Sequence, residues 1–310
     1  MRLDDWRNVP EERMARCYER EHLRWSRDLG WDLRSTWSTI EDARQRGWLP
    51  GFAALSGEGA LVGWTFFTPR QGTLRIGALQ AEQAGTVRDL LDAVLAAPET
   101  ALCQRYQGFL FPSDAAVEVA LERRRFGIER YQYLEWPLPD STQIVPSMGR
   151  AWNDADLPQV ARALARAYAG TPAARSFAPT GLLDDWAQYL GELVRTPACG
   201  TFSAADSVIV QRSPSRFDGL ILTTWLSPDT AHIAQLVVDP AQQGQGLGRG
   251  LVEEVARHAI SKGARRLTLL VAESNTPARG LYGKLGFRPR ATFLFASRDR
   301  ITRAPVGSSA

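Results

Sequence analysis

Glycines alternate with larger residues through one short stretch of the chain, QGQGLGRG at positions 243–250. Glycine has no side chain to cover its amide, so neighbouring N–H groups in such a loop can face outward together. Where a helix begins at the loop, these N–H groups lie at its positive end, which favours a bound phosphate or pyrophosphate. The spacing therefore indicates chemistry on a phosphate-bearing ligand.

Two common phosphate-binding motifs do not fit this stretch. The dinucleotide motif G-x-G-x-x-G fails in every register, because its last glycine falls on Arg249, Leu251 or Glu253. The P-loop motif fails because no Gly-Lys-Ser or Gly-Lys-Thr sequence is present here. A third pattern, Q/R-x-x-G-x-G/A, fits the residues Gln243, Gly246 and Gly248.

The loop is predicted to join a strand to a helix. Residues 231–240, AHIAQLVVDP, form an apolar run with β-branched residues that ends at a proline, which is typical of a buried strand. After the loop, apolar residues recur at helical spacing until Lys262 and Gly263, a cation and a glycine that favour a helix end. The order strand, glycine loop, helix is the geometry that presents free amides to an anion.

A second strand and helix are predicted directly afterwards. The strand covers about Arg266 to Val271. In the helix, Thr276 is expected as the N-cap, Pro277 at the first position and Gly286 at the stop.

The two halves together resemble the GNAT superfamily of acyl-CoA-dependent N-acetyltransferases. The family pattern L-x-V-x-P-x-x-Q/R-G-x-G-x-G is followed further along by N-x-x-A-x-x-L-Y-x-K-x-G-F. The first half is matched by Leu236, Val238, Pro240, Gln243, Gly244, Gly246 and Gly248. The second half is matched by Asn275, Ala278, Leu281, Tyr282, Lys284, Gly286 and Phe287. The resemblance covers about residues 147–300.

The resemblance implies an α/β fold, and an internal similarity suggests two copies of it. Residues 109–130 parallel residues 269–290, each with a strand, a small polar turn, a helix and a glycine stop. We therefore expect two tandem GNAT folds, each a mixed and mostly antiparallel sheet flanked by helices, over residues 1–140 and 147–310. The linker is expected at 137–147, which is rich in proline and serine.

The upstream copy is expected to be degenerate. Its loop position reads QAEQAGT at residues 80–86, with one glycine instead of a run. Arg123 stands where the downstream copy has Tyr282. The resemblance therefore places the acetyl-CoA site in the downstream copy.

The resemblance also implies which residues hold acetyl-CoA. Strand backbone groups would bond the pantetheine arm, loop amides would bond the pyrophosphate, and the start of the second helix would complete the site. The implied cofactor-binding residues are Leu236, Val237, Val238, Gln243, Gly244, Gln245, Gly246, Leu247, Gly248, Arg249, Asn275, Ala278 and Tyr282.

Acetyl transfer requires a neutral amine, a stabilised oxyanion and a proton for the leaving thiolate. The resemblance implies the amide of Val238 as the group that polarises the thioester and Tyr282 as the general acid. His232, six residues before Val238, is the candidate base, and a purely structural role for it stays open. Glu273 and Asp239 are weaker alternatives.

Composition excludes several other functions. A net charge of +3 gives no reason to expect nucleic acid as a partner. The three cysteines are far apart and form no C-x-x-C pair, so no metal site is expected. No run of about 18 apolar residues predicts a membrane span. We expect a cytoplasmic monomer or homodimer.

The resulting hypothesis is an N-acetyltransferase that acts on a primary amine of a small molecule. The main alternative is a non-catalytic acyl-CoA-binding or sensor module. An aminoacyl transferase that uses charged tRNA and a mycothiol-synthase-like enzyme are further alternatives. The acceptor is expected near residues 170–185, which include Asp184 and Asp185, or near the Trp-rich residues 25–48.

Overall fold

The structure is a computed structural model that describes residues 1–110, 115–140, 147–197, 199–212 and 217–300. Most of the predicted linker, part of the predicted upstream turn and the last ten residues lie outside these ranges. The first half of the chain forms, in order, β1 (Arg2–Asp5), α1 (Glu11–Leu29), α2 (Arg34–Gln45), β2 (Gly51–Leu55), β3 (Leu61–Arg70), β4 (Thr73–Ala81), α3 (Ala84–Ala96), β5 (Arg105–Leu110), α4 (Ala115–Arg123) and β6 (Gly127–Pro137).

The second half of the chain repeats this alternation of helices and strands. Its elements are, in order, β7 (Arg150–Ala151), α5 (Leu157–Ala167), α6 (Ala174–Phe177), α7 (Leu183–Arg195), β8 (Thr201–Phe202), β9 (Val208–Val210), β10 (Gly219–Ser227), β11 (Thr230–Val238), α8 (Leu247–Ser261), β12 (Arg266–Ala272), α9 (Thr276–Leu285) and β13 (Arg288–Asp299).

The chain divides into two compact units, and each is assembled from more than one segment. The first unit contains residues 1–15, residues 40–129 and the chain from Phe293 onward. The second unit contains residues 16–39 and 130–292. The predicted domains, residues 1–140 and 147–310, stay a prediction.

The second unit has a mixed sheet in which β6, β12, β11, β10, β9 and β7 follow one another, with β8 paired to β10. Only β11 and β12 run parallel among the described strand pairs of this unit. They are joined by the crossover helix α8, as a parallel pair requires. This confirms the predicted fold class for this unit, a mostly antiparallel sheet flanked by helices.

Helices cover both faces of this sheet because apolar residues alternate along its strands. On one face Leu251, Val252 and Val255 of α8 pack against Ile233 and Leu267. On the other face the core is formed by α5 and α7 with β9, β10 and β11, through Val160, Leu164, Leu190, Ile209, Leu220, Leu222 and Val237. The two faces therefore remain separate cores.

The first unit is built in the same way. Its strands follow the order β1, β2, β3, β4, β5 and β13, and only β4 and β5 run parallel among those described. Its core is formed by α3 and α4 on this sheet, with Leu90, Leu91 and Leu121 fully buried. The repeated topology agrees with two copies of one fold.

No helix in the described ranges is long and apolar enough to cross a membrane. The longest of them, α1, carries charged residues along its whole length.

Candidate functional site

The glycine loop leads directly into α8, as the sequence predicts. Gly244 has φ +76° and Gly246 has φ +82°, values in the left-handed region that side chains rarely adopt. A Cβ added at either position would meet no atom within 4 Å, so this side of the loop is open. Gly246 is the N-cap of α8 and offers no side chain to the first amides of the helix. These amides are therefore available to an anion.

The neighbouring side chains brace the loop from within. The Gln243 Nε2 donates to the carbonyl of Val238 at 3.3 Å, and the Gln245 Nε2 donates to the carbonyl of Ala241 at 3.1 Å. Arg249 forms an exposed ion pair with Glu253 at 2.7 Å. The two glutamines therefore stabilise the loop shape.

The later glycines, Gly248 and Gly250, lie in the first turn of α8 and have side chains from other parts of the chain nearby. A Cβ on Gly248 would lie 3.4 Å from a Val238 methyl group and 3.6 Å from a Leu281 methyl group. A Cβ on Gly250 would collide with the side chain of Met148. The first two glycines thus form an open loop at positive φ, whereas the last two belong to the helix.

The strands β11 and β12 separate half-way along their length. Their parallel pairing runs from Thr230 with Arg266 to Ile233 with Leu269 and stops there. Both strands continue, to Val238 and Ala272 respectively. A β-bulge at Ala234 coincides with the separation, because Thr223 pairs with Ile233 and Leu222 with Gln235. We call the opening between the unpaired ends the split.

Hydrogen-bond alternation fixes which amides of β11 face the split. The amide of Asp239 donates to the carbonyl of Asp218 on the β10 side at 2.9 Å. In an antiparallel ladder hydrogen-bonded pairs alternate, so the next pair, Val238 with Gly219, is not hydrogen-bonded. The amide of Val238, and by the same alternation that of Leu236, therefore points away from β10 and toward the split. Val237, predicted with them, directs its backbone groups toward β10.

The second motif helix begins one residue earlier than predicted. Asn275, not Thr276, is the N-cap of α9, and its side chain accepts a hydrogen bond from the amide of Ala278 at 3.2 Å. The amide-bearing Asn275 is a preferred cap, and Pro277 fits the first turn that follows it. Gly286 ends the helix with φ +101°, as predicted.

Tyr282 lies on α9 and is 6% exposed. Its ring packs edge-on against Phe287, with the ring centroids 5.5 Å apart. Burial raises the pKa of its hydroxyl above the ordinary value of 10.0, and the neighbouring Tyr168 raises this pKa further. The phenol therefore keeps its proton throughout the neutral pH range.

His232 lies on β11 before the split and is 1% exposed. Its Nδ1 is 2.9 Å from the hydroxyl of Thr268 on β12. The rings of Trp31 and Tyr133 lie 5.9 Å and 6.1 Å from its ring, centroid to centroid. Burial lowers the pKa of His232 to about 3, so the ring is neutral at neutral pH.

A hydrogen-bonded group that the sequence analysis missed lies at the split. Gln235, directly after the bulge, is 3% exposed. Its Oε1 accepts from the Tyr168 hydroxyl at 2.9 Å, and its Nε2 donates to the Tyr189 hydroxyl at 2.7 Å. An amide in the middle of the apolar run AHIAQLVV was the available signal. We call these three residues the tyrosine–glutamine group.

The weaker base candidate Asp239 and the acceptor candidate Asp185 have hydrogen-bond partners of their own. Asp239 caps the turn after β11 by accepting from the amide of Ala241 at 2.9 Å. Asp185 accepts from the amide and hydroxyl of Thr180, at 2.6 Å and 2.7 Å. His258 lies in the last turn of α8, and its buried Nδ1 has no hydrogen-bond partner among the described residues. None of these described contacts points to proton transfer.

A cavity of about 480 Å³ lies at the hairpin between β10 and β11, lined by Trp225, Ser227 and Asp32 among others. This hairpin precedes β11, whereas the glycine loop follows β11. The cavity is therefore at the other end of the strand from the glycine loop.

The sequence model of the acetyltransferase (GNAT) family matches residues 180–287. This range contains the glycine loop, the split and Tyr282. Residues 180–287 form a GNAT acetyltransferase domain. The resemblance stated from the two motifs is thereby confirmed for this part of the chain.

Two curated relatives are similar to parts of this chain. A mycothiol acetyltransferase of Catenulispora acidiphila is 48% identical over 54 residues, which are 17% of this chain and 17% of that protein. A glucosamine 6-phosphate N-acetyltransferase of Trypanosoma brucei brucei is 40% identical over 57 residues, 18% of this chain and 37% of that protein. The chain thus matches less than half the length of these relatives.

A solved structure resembles the chain over nearly its whole length. The GCN5-related N-acetyltransferase from Sphaerobacter thermophilus superimposes with a TM-score of 0.66, covering 96% of this chain and 95% of that one. The two sequences are 15% identical, so the similarity concerns the fold alone. It confirms the predicted fold class beyond the 180–287 match.

Proposed function

We propose that this protein transfers an acetyl group from acetyl-CoA to a primary amine of a small molecule by direct attack. The observation that carries the proposal is the split in β11 and β12, toward which the amides of Leu236 and Val238 point. An open loop with free helix amides follows the same strand. A phosphate-binding end and an acyl-binding end therefore lie along one continuous stretch of chain.

The residues present fit acetyl-CoA. Gly244 and Gly246 leave the loop open where a larger residue would add a side chain, and the amides after Gly246 would hold the pyrophosphate. The backbone of Leu236 and Val238 would bond the pantetheine arm. When bound, acetyl-CoA supplies the activated acyl group. Arg249 and Asn275 stay proposed contacts, and both already have a protein partner.

The amide of Val238 is the proposed oxyanion donor. It is fixed in the strand, so it would not have to reorganise as charge develops on the thioester oxygen. Because β12 is not paired with this part of β11, the amide has room for a substrate oxygen.

Tyr282 is the proposed general acid. Its pKa is raised by burial, so it is protonated and able to donate. Such a weak acid protonates a leaving thiolate only if that thiolate is also a strong base. A thiolate held in a buried site meets this condition, because burial raises the pKa of a thiol.

His232 is the proposed base, and its surroundings act on this role in two opposite ways. Burial keeps the ring neutral, as a base must be before it accepts a proton. The same burial makes the imidazolium form costly. Water can instead take the proton of the amine, and the variant His232→Gln decides between these routes.

The test is release of CoA thiol from acetyl-CoA with a panel of primary amines. Wild-type protein is expected to turn over with at least one amine, and Tyr282→Phe is expected to lose about 10²–10⁴ of that rate. Thermal stabilisation by acetyl-CoA is measured in parallel. Stabilisation without turnover against any amine would contradict the proposal and indicate a binding module.

A further inference from the structure

We propose that the tyrosine–glutamine group (Tyr168, Gln235 and Tyr189) binds the acceptor. The group selects a primary amine that has a hydroxyl on the neighbouring carbon and no further positive charge. The inference rests on the proposed function and deepens it. It assigns the acceptor side of the split to three hydrogen-bonding side chains that carry no formal charge.

The location of Gln235 is the first observation. The bulge at Ala234 makes Gln235 the first residue of β11 after the parallel pairing with β12 has ended. Its backbone pairs with Leu222, while its side chain bonds Tyr168, which directly follows α5, and Tyr189 of α7. Gln235 therefore links the opening of the sheet to the helices over that face.

The hydrogen-bond count of the group is the second observation. The Tyr168 hydroxyl donates to Gln235 and keeps its lone pairs, whereas the Tyr189 hydroxyl accepts from Gln235 and keeps its proton. A flip of the Gln235 side-chain amide would exchange the donor and acceptor roles of the two tyrosines. The number of free donors and acceptors would stay the same. The group thus retains one hydroxyl donor and one hydroxyl acceptor after its internal bonds are made.

Both tyrosines are half-buried, while Gln235 is buried. The glutamine therefore acts as a positioning residue that holds the two hydroxyls. Tyr168 is close enough to Tyr282 to raise the pKa of its hydroxyl. An amine hydrogen-bonded to the Tyr168 oxygen would thus lie on the same side as the proposed acid.

The uncharged side chains that contact the group set the chemical class. Tyr131 and Ser176 bond each other at 2.8 Å beside the group, and Phe177 packs on both Tyr168 and Tyr189. The groups that shift the pKa of Tyr189 are Gln235, Cys199 and other tyrosines, in addition to burial. An amine that carries extra positive charges would lose hydration here without an opposite charge in return.

The hydroxyl requirement follows from the leftover donor. A substrate oxygen beside the amine would accept from Tyr189, whereas a purely apolar amine would leave that hydroxyl unpaired in a partly desolvated site. Sites built in this way discriminate strongly against analogues that lack the bonding group.

The experiment compares three probe amines, trans-2-aminocyclohexanol, cyclohexylamine and spermidine. For each, kcat/KM is measured with acetyl-CoA, and binding is measured calorimetrically in the presence of CoA, which does not depend on turnover. Wild type is expected to prefer the amino alcohol to the other two by about tenfold or more.

The variants Gln235→Leu, Tyr168→Phe and Tyr189→Phe test the group residue by residue. Gln235→Leu is expected to raise the KM for the amino alcohol by about tenfold. The ratio of kcat/KM for the amino alcohol to kcat/KM for cyclohexylamine should then be near one. The KM for acetyl-CoA is expected to change little. The matched control is Gln107→Leu, a buried strand glutamine of the first unit, which should leave the ratio unchanged.

The possible outcomes separate this inference from the proposed function. Efficient acetylation of spermidine would overturn the inference, and so would a preference for the amino alcohol over cyclohexylamine that is unchanged in Gln235→Leu. Both outcomes would leave the proposed acetyltransferase function intact. Binding of the amino alcohol that depends on Gln235, without turnover, would support the inference and overturn the proposed function. If the amino alcohol neither binds nor reacts, the inference is wrong.

Discussion

The amide of Asp239 donates to the carbonyl of Asp218 at 2.9 Å, and this bond determines the direction of the amide before it, that of Val238. Adjacent pairs in an antiparallel ladder alternate between bonded and non-bonded. Val237 is therefore tied to β10, and Val238 presents its N–H to the split. The amides of two neighbouring valines thus point in opposite directions, which their similar side chains do not reveal.

This difference predicts opposite effects of proline at the two positions. Val238→Pro removes the proposed oxyanion donor without removing a bond to β10, so the acetyl transfer rate should fall about 10²–10³. Val237→Pro removes a ladder bond and should lower the melting temperature more. Activity and thermal unfolding are measured for both. If Val238→Pro retained its rate while folded, the Val238 amide would not be the oxyanion donor.

The strand–loop–helix segment is the part of the site that the sequence predicted well. Glycine at positive φ, an apolar strand and a periodic helix are all local signals, and they act within about 30 residues. The start of α9 shows the precision of such signals, since Asn275 and Thr276 are both good caps and the structure uses the first. Local chemistry fixed the elements to within one residue there.

Other features depend on pairing partners and are not encoded locally. The bulge at Ala234 exists only in relation to β10, so the strand pattern alone does not show it. The same holds for β6, whose residues 131–137 pair with β12 in the second unit although they follow α4 of the first. The hydrogen-bond partners of Gln235, Tyr168 and Tyr189, are distant in sequence and are positioned by α5 and α7.

The first unit also contains a bulge, between β3 and β4. Gly77 is the extra residue between the pairs Phe66 with Ala78 and Phe67 with Ile76. A Cβ at Gly77 would collide with the Phe66 ring, which stacks on Trp6 with centroids 5.4 Å apart. Aromatic rings thus cover the bulge here, in agreement with a degenerate copy.

Gly246 provides a test of the loop. Gly246→Glu places a side chain and a negative charge where the open loop would meet a pyrophosphate, and the residue would need a strained φ of +82°. Acetyl-CoA at about 100 times its dissociation constant should stabilise wild type by roughly 2.7 kcal/mol. We expect this thermal shift to disappear in the variant.

Gly47→Glu is the matched control, because Gly47 has φ +75° and open space around its Cβ position but lies in the first unit. It should cost similar stability and keep the response to acetyl-CoA. A shift with ATP or NAD in place of acetyl-CoA would show that the loop serves another nucleotide.

His232 predicts an acid sensitivity of the fold. Its pKa is about 3 in the folded protein and near 6.5 when unfolded, so only the unfolded chain takes up the proton between these values. The contribution of neutral His232 to the free energy of unfolding is complete above pH 6.5. Below that, it falls by about 1.4 kcal/mol for each pH unit. Chemical unfolding across this range should show a shallower dependence in His232→Gln.

Thr268→Val is the control for this prediction, since it removes the partner of Nδ1 and leaves the buried ring in place. Its acid sensitivity should persist. The same His232→Gln protein tests the proposed base at neutral pH. A rate loss of about 10² or more with normal acetyl-CoA binding supports the base, and retention of the rate assigns proton removal to water.

Tyr282 predicts the alkaline side of the rate profile. Because burial raises the pKa of its hydroxyl above 10.0, the phenol stays protonated where an exposed tyrosine would ionise. The kcat of wild type should therefore show no decrease with an apparent pKa near 10. Tyr282→Phe should lower kcat by about 10²–10⁴ at every pH and leave the KM for acetyl-CoA nearly unchanged.

Tyr106→Phe is the control, because it removes the hydroxyl of a buried tyrosine in the first unit. It should alter neither kcat nor the KM for acetyl-CoA. A profile that falls near pH 10 only when Tyr282 is present would mean that the hydroxyl ionises at its ordinary pKa and that the site is wetter than its burial indicates.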